Sequence, residues 1–281
     1  MWLAWEIAAV VSVLLCLCWL FIRRSRSRQA EIARPFAREL SLMFCLYAIW
    51  QLAGEVAVDD QAGAFRRARQ IWDLERLLLF PNEVTLQEWL LPYGWLIQAA
   101  NIFYATVHVP AVIICLTWLF IRDRHYYSVT RNNLAMLTGA SLLIQLVPVA
   151  PPRFLEELNI LDTAVHYNQS VFSSLGYESA GQLQAMPSLH VGWALLVAVA
   201  TWRMGTGWWR WVGPAHAVVT TLVVVITANH FWLDGVVAGA VLMGAAFTQQ
   251  LVRTRVLHEP PQPTQEPAVA NREERREPQP S

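Results

Sequence analysis

The sequence contains no lysine, and charged residues of any kind are scarce. All 21 basic residues are arginines, and only 15% of the 281 residues are charged, whereas 55% are hydrophobic. A soluble domain carries about a quarter charged residues, so the composition predicts an integral membrane protein. The formal net charge of zero gives no support to nucleic-acid binding. The arginine bias is typical of a GC-rich genome and favours a bacterial plasma membrane.

Cysteine is also scarce, and its placement argues against two kinds of site. The four cysteines lie within apolar runs and lack the spacing of metal ligands or of a disulfide framework. They are Cys16, Cys18, Cys45 and Cys115. We interpret them as small hydrophobic residues.

Long apolar runs dominate the rest of the chain. A helix needs about 20 apolar residues to cross a bilayer. Seven segments approach this length: 2–22, 39–57, 96–121, 133–150, 187–204, 211–229 and 231–251. We predict an all-α, polytopic transmembrane helical bundle of six to seven spans over residues 1–257, with its catalytic core at about 96–251. Residues 258–281 are rich in Pro, Glu, Gln and Arg, which predicts a disordered cytoplasmic tail.

Arginine placement predicts the orientation. With seven spans, the arginines after the first and seventh spans share one side with those between the third and fourth and between the fifth and sixth. The positive-inside rule makes that side cytoplasmic. Loops 58–95 and 151–186 then lie outside, although the first also carries arginines. Its hydrophobic pattern predicts an amphipathic helix on the outer surface.

Two histidines at the ends of apolar runs are the strongest functional signal. The interval between His190 and His230 holds two predicted spans, so both histidines should lie at one membrane face. Asp234 follows His230 by one helical turn, where its carboxylate can orient the imidazole. Pro187 suits the first helical position of its span. His190 then lies in the first turn, where free amides favour a phosphate.

Further polar residues are predicted to bind substrate at the same face. Arg153 follows two prolines at the outer end of the fourth span, and a guanidinium is a natural clamp for phosphate. Polar residues of the third span share one helical stripe beneath this position. They are Asn101, Tyr104 and His108.

Other interpretations of these residues stay open. His108 and His216 are each interpreted first as interhelical hydrogen bonders, and Arg153 alone could be an interface anchor. Asp162 and His166 share a spacing of four, for which we favour local loop structure. A haem-binding protein would use pairs among the membrane histidines as axial ligands, but it would leave Asp234 and Arg153 unexplained.

Two stretches resemble a known family. Met186–Pro187–Ser188–Leu189–His190 resembles the second motif, usually Pro-Ser-Gly-His, of the type 2 phosphatidic acid phosphatase superfamily. His230–Phe231–Trp232–Leu233–Asp234 resembles the end of its third motif. Leu in place of Gly, together with Pro151–Pro152–Arg153, resembles the branch that includes inositol phosphorylceramide synthases. The resemblance covers about residues 65–251.

This resemblance implies a helical bundle and a phosphohistidine mechanism. By it, His230 is the nucleophile, Asp234 its orienting acid and His190 the proton donor to the leaving group. Ser188 belongs to the same motif and is predicted to bind substrate. No metal and no other cofactor is implied.

The chain departs from the superfamily pattern at two phosphate clamps. The first motif, a Lys followed by Arg-Pro, is absent, and Val223–Val224 replaces the Ser-Arg of the third. These losses favour transfer of a phosphoryl or phospho-head group from a lipid phosphoester to an alcohol, at the exoplasmic face, as in an inositolphosphotransferase. The alternative is a phosphatase that hydrolyses phosphatidic acid or a polyprenyl (pyro)phosphate. The predicted partners are the lipid substrate and the bilayer, and the oligomeric state is open.

Overall fold

The computed structural model describes residues 4–170 and 182–257, and eleven α-helices carry the chain through these ranges. In chain order they are α1 (Trp5–Ile22), α2 (Arg28–Asp59), α3 (Gln61–Leu77), α4 (Glu83–Leu90), α5 (Gly94–Thr106), α6 (His108–Arg122), α7 (Arg124–Ile144), α8 (Thr163–His166), α9 (Leu189–Met204), α10 (Val212–Ile226) and α11 (Trp232–Leu257). No strand occurs in the described ranges, which agrees with the predicted all-α class. The predicted disordered tail, 258–281, lies outside the described residues.

The described helices can be compared with the predicted spans by requiring both sufficient length and apolarity. Three described helical stretches meet both conditions, namely Trp5–Ile22, Gly207–Ile226 and Trp232–Thr254. A fourth is added if α5 and α6, which meet at a bend of 52°, form one broken span. Helix α9 is apolar but has only 16 residues. The structure therefore supports an integral membrane protein, and six to seven spans are not confirmed.

Helix α9 lies at the centre of the bundle, in contact with α6, α7, α10 and α11. Small residues allow these close approaches. A Cβ added to Gly213 of α10 would lie 2.8 Å from both the Cα of Ala198 and the carbonyl oxygen of Val197 on α9. One added to Gly192 of α9 would lie 3.2 Å from a methyl carbon of Leu137 on α7. The core thus depends on direct contact between backbones.

The two ends of the bundle differ in charge. We call the end at which α9 and α11 begin the site end. The arginines in the last turns of α6, α9 and α11 lie at the opposite end. At that end Arg253 contacts His125 at 2.7 Å, and Arg131 pairs with Glu39 at 2.7 Å. Exposed aromatic residues occur at both ends, as at membrane–water interfaces. They are Trp89, Tyr93 and Trp95 at the site end and Trp208, Trp209 and Trp211 at the other.

The predicted amphipathic helix in loop 58–95 is confirmed as α3. Asp60 caps its start by accepting a hydrogen bond from the Gly63 amide at 3.1 Å. One face, with Ala64 and Ala68 fully buried, packs on the loops that precede α8 and α9 and on Phe231. Helices α3 and α4 together therefore cover the site end of the bundle.

Gly213→Ala should destabilise the protein, because the new methyl group would meet backbone atoms of α9 that cannot rotate away. Overpacking of this kind costs roughly 1–3 kcal/mol. The measurement is thermal unfolding of the purified protein in detergent.

The matched control is Gly244→Ala in α11, where an added Cβ would meet nothing within 4 Å. This change should be neutral or stabilising, since Ala exceeds Gly in helix propensity by about 1 kcal/mol. Equal midpoints for the two variants would contradict the close contact of α9 with α10.

Candidate active site

A tight turn after α10 presents His230 to the site. The amides of Asn229 and His230 both donate to the carbonyl of Val224, at 3.0 and 3.1 Å. Ala228 within this turn has a φ of 53°, a conformation that side chains with a Cβ rarely adopt. Strained backbone of this kind is often found at functional sites.

The hydrogen bonds of His230 determine which ring nitrogen carries the proton. Its Nδ1 lies 2.8 Å from the carbonyl oxygen of Ala185 and 3.2 Å from Oδ2 of Asp234. Both partners can only accept, so Nδ1 donates and Nε2 is left unprotonated. Asp234 has no exposed surface, and its Oδ2 also accepts from the Phe231 amide at 2.9 Å. A buried carboxylate and a main-chain carbonyl thus hold the imidazole as a base or nucleophile at Nε2.

The start of α9 lies two residues later than predicted. Leu189, and not Pro187, occupies the first helical position. Ser188 is the N-cap, because its Oγ accepts from the Val191 amide at 3.3 Å. The Ser188 amide donates to the carbonyl of Asp234 at 3.1 Å, which ties α9 to α11. Its hydroxyl is fully buried in this structural position. The expected contact of Ser188 with substrate therefore has no geometric support.

His190 lies in the first turn of α9, as expected, and faces His230. The centroids of the two rings are 5.6 Å apart. Tyr104 packs on the other side of His190, with ring centroids 4.4 Å apart. The amides of Leu189 and His190 cannot be paired within the helix. The two predicted catalytic histidines are therefore brought together beside a helix N-terminus.

Arg153 is buried and held by three different side chains. Its Nε lies 3.2 Å from Asp162, and its two terminal nitrogens donate to Asn229 at 2.5 Å and to Gln182 at 2.6 Å. Burial lowers the pKa of Arg153, and the charges of Tyr104 and Asp162 oppose this effect. These three contacts fix the orientation of the guanidinium.

A small cavity joins Arg153 to the predicted residues of the third span. Its wall is formed by Asn101, Tyr104, Arg153, Asp162, Ala164, Gln169, Ser170, Gln182 and Asn229. Asn101 is buried and engaged in the wall, since its amide nitrogen donates to Gln169 and its oxygen accepts from Thr163. His108 does not reach the cavity wall and lies behind His190, with ring centroids 4.6 Å apart.

A comparison of the chain with protein-family models identifies its family. A family model described as the PAP2 superfamily matches residues 69–249, which is more than half of the chain. The chain belongs to the PAP2 superfamily. No curated protein and no solved structure gives a significant match. PAP2 membership identifies the protein as an enzyme of the phosphatase and phosphotransferase type.

The PAP2 match begins within α3 and ends within α11. It therefore includes about half of α3 and all of α4, the two helices that cover the site end. The clamp that is absent at Val223–Val224 is replaced by packing. Val224 is 1% exposed and contributes to an apolar cluster with Val191 of α9. This position therefore offers no cation to a phosphate.

Sequence reasoning missed the partners of the PAP2 histidine and arginine. Asp162 caps the short helix α8 by accepting from the Val165 amide at 3.1 Å, which agrees with its interpretation as part of the local loop structure. It also pairs with Arg153, which that interpretation omitted. Asn229 could have been noticed as a polar neighbour of His230, whereas the Ala185 carbonyl has no side-chain signal at all.

The other membrane histidines do not fit their first interpretations equally well. His108 is 4% exposed and neither of its ring nitrogens has a hydrogen-bond partner, so it is not a satisfied interhelical hydrogen bonder. His216 lies near His108, with the two ring centroids 6.1 Å apart. The edge-to-face contact of His108 with His190 leaves no space for a haem between them. Within residues 4–170 and 182–257, no group of His, Cys, Asp and Glu is arranged to hold a metal ion.

Arg153→Lys should lower activity by at least about tenfold, because lysine keeps the charge but cannot form three directed contacts at once. The measurement is the initial rate on a lipid phosphate, with protein amount checked by size-exclusion chromatography.

Arg69→Lys is the matched control, since Arg69 makes an exposed ion pair with Glu157 on the same face. It should retain full activity. A fully active Arg153→Lys variant would reduce Arg153 to an interface anchor.

Proposed function

We propose that this PAP2 protein transfers a phosphoryl or phospho-head group from a lipid phosphoester to an alcohol, through a phosphohistidine at His230. The observation that carries the proposal is the pair of acceptors on Nδ1, Ala185 and Asp234, which leaves Nε2 as the nucleophilic nitrogen. No metal takes part in the proposed steps.

In the first step, Nε2 of His230 attacks phosphorus and the bond from phosphorus to the lipid oxygen breaks. The positive charge that develops on the imidazole is stabilised by the buried carboxylate of Asp234. His190 donates its proton to the departing oxygen. Arg153 and the first amides of α9 bind the phosphate oxygens.

In the second step, His190 removes the proton from an acceptor hydroxyl, whose oxygen attacks phosphorus. The bond from phosphorus to Nε2 breaks, and His230 returns to its starting state. The nature of the acceptor decides the class of reaction, because an alcohol gives transfer and water gives hydrolysis.

The composition of the cavity wall supports an alcohol acceptor. Arg153 is the one guanidinium in this wall, and most of the other polar groups are amides and hydroxyls, which can hydrogen-bond to an acceptor hydroxyl. The resemblance to inositol phosphorylceramide synthases suggests transfer of an inositol-type head group. The second candidate is hydrolysis of phosphatidic acid or a polyprenyl (pyro)phosphate, favoured by PAP2 membership itself.

We also propose seven crossings of a bacterial plasma membrane, with the site end outside. Arginines at the opposite end support this orientation under the positive-inside rule. Exposed Trp89, Tyr93 and Trp95 at the site end suit the interface from which a lipid head group would enter.

The test of the function uses purified protein and a panel of labelled lipid phosphates, with and without inositol or diacylglycerol. Wild-type protein should form an acid-labile, base-stable labelled adduct, and an alcohol should convert it into a new phosphodiester. His230→Ala should form no adduct. Asp234→Asn and the double variant should be nearly inactive, the double hardly worse than His230→Ala, because the two residues act as a unit.

His166→Ala removes an exposed histidine of the same face and should behave as wild type. Release of inorganic phosphate regardless of acceptor would favour the phosphatase. An adduct that survives His230→Ala would transfer the nucleophilic role to His190.

Orientation is tested by single cysteines in a variant whose four native cysteines are replaced by alanine. Glu156→Cys, in the loop after Arg153, should react with an impermeant reagent in intact cells. Thr206→Cys, in the turn between α9 and α10, should react only after lysis. The reverse pattern would place the chemistry in the cytoplasm.

A further inference from the structure

Two carboxyl groups are fully buried outside the catalytic set, in the helices that cover the site end. Glu75 lies near the end of α3 and Glu83 at the start of α4, and neither has exposed surface. Acidic residues are almost never fully buried without partners that compensate for lost hydration. Their burial needs an explanation that an amphipathic surface helix does not give.

Glu75 is bonded to the first turn of α11. Its Oε1 accepts from the Leu233 amide at 2.7 Å, and Leu233 directly precedes Asp234. The first amides of a helix have no partner within it, so Glu75 caps the first turn of α11 from α3. Nearby, the Trp232 indole donates to the carbonyl of Pro81 at 2.9 Å, between α3 and α4.

One cation faces both carboxyl groups. A terminal nitrogen of Arg76 lies 2.8 Å from Oε2 of Glu83 but 3.7 Å from Oε2 of Glu75. Arg76 also stacks on Trp72, with its guanidinium carbon 4.5 Å from the ring centroid. Arg76 is therefore paired more closely with Glu83 than with Glu75.

One oxygen of each carboxyl group is buried without a hydrogen-bond donor. These atoms are Oε2 of Glu75 and Oε1 of Glu83. The two side chains can hydrogen-bond to each other only if one of them carries a proton, because two unprotonated carboxylates offer only acceptors. Like-charged carboxyl groups at close range hold such a proton in preference to ionising together.

We propose that Glu75 and Glu83 share one proton and act as positioning residues that fix the first turn of α11, and with it Asp234. This inference rests on the proposed roles of Asp234 and His230. By this proposal, α3 and α4 determine the position of the Asp234 carboxylate, although neither helix belongs to the motif of residues 230–234. The pair never touches the phosphate.

The raised pKa of Glu75 supports this assignment. Burial raises the pKa of Glu75 to about 9, the hydrogen bond to Glu83 and the charges of Glu83 and Asp234 act in the same direction, and the Leu233 amide opposes them. The charged groups that face Glu75 are therefore Glu83 from α4, Arg76 from α3 and Asp234 from α11.

The sign of the pH effect follows from proton binding. Between about pH 4.5, the ordinary pKa, and about pH 9, the folded protein keeps a proton that the unfolded chain releases. Stability contributed by this group is thus greatest at low pH, falls as pH rises through this window, and is level above it. Ionisation of Glu75 near pH 9 should also remove activity.

The test compares Glu75→Gln with Glu75→Ala. Glutamine is isosteric with the protonated acid, since its oxygen accepts from Leu233 and its amide nitrogen donates to Glu83. We expect Glu75→Gln to keep kcat at pH 7 within about threefold and to lose the activity decline near pH 9. Glu75→Ala should lose at least about tenfold in kcat with a smaller change in KM.

Glu88→Gln, an exposed carboxyl group of α4, is the matched control and should leave both profiles unchanged. A Gln variant as inactive as the Ala variant, or one with the wild-type decline near pH 9, would overturn the shared proton. The pH dependence of the thermal midpoint needs no substrate and should flatten between pH 5 and 9 in Glu75→Gln only. This measurement tests the shared proton even if the wild-type protein forms no phosphohistidine. Absence of the phosphohistidine would refute only the proposed function.

Discussion

A carboxylate that water cannot reach is the constraint on which the site depends. Asp234 is fully buried, and the Phe231 amide and the Nδ1 proton of His230 compensate for part of its lost hydration. The same contacts begin α11 and select the tautomer of His230. The contacts that begin this helix therefore also set the orientation of the His230 ring.

The all-helical class and the placement of His190 beside His230 could be predicted because their signals are local. Apolar runs predict helices, and a spacing of four places Asp234 beside His230. The predicted six to seven spans are not confirmed. Apolar content alone does not show where a helix breaks, as between α5 and α6.

Most of what supports the site could not be predicted, because it comes from distant parts of the chain. The carbonyl of Ala185 carries no pattern that links it to His230, and neither Asn229 nor Gln182 carries one that links it to Arg153. Gln87 is a further example, since it bonds to both the loop at Leu161 and the end of α10 at Ile226. Contacts of this length depend on the packing of whole helices, which a linear pattern does not encode.

The strained turn at Ala228 limits how this enzyme can change. The residue is 1% exposed, and its carbonyl accepts the Arg153 amide at 3.2 Å, so the turn cannot relax without moving the clamp. A left-handed residue with a Cβ costs about 1–2 kcal/mol, and a β-branched one costs more. Position 228 is therefore closed to most residues larger than alanine, and β-branched residues are the least compatible with it.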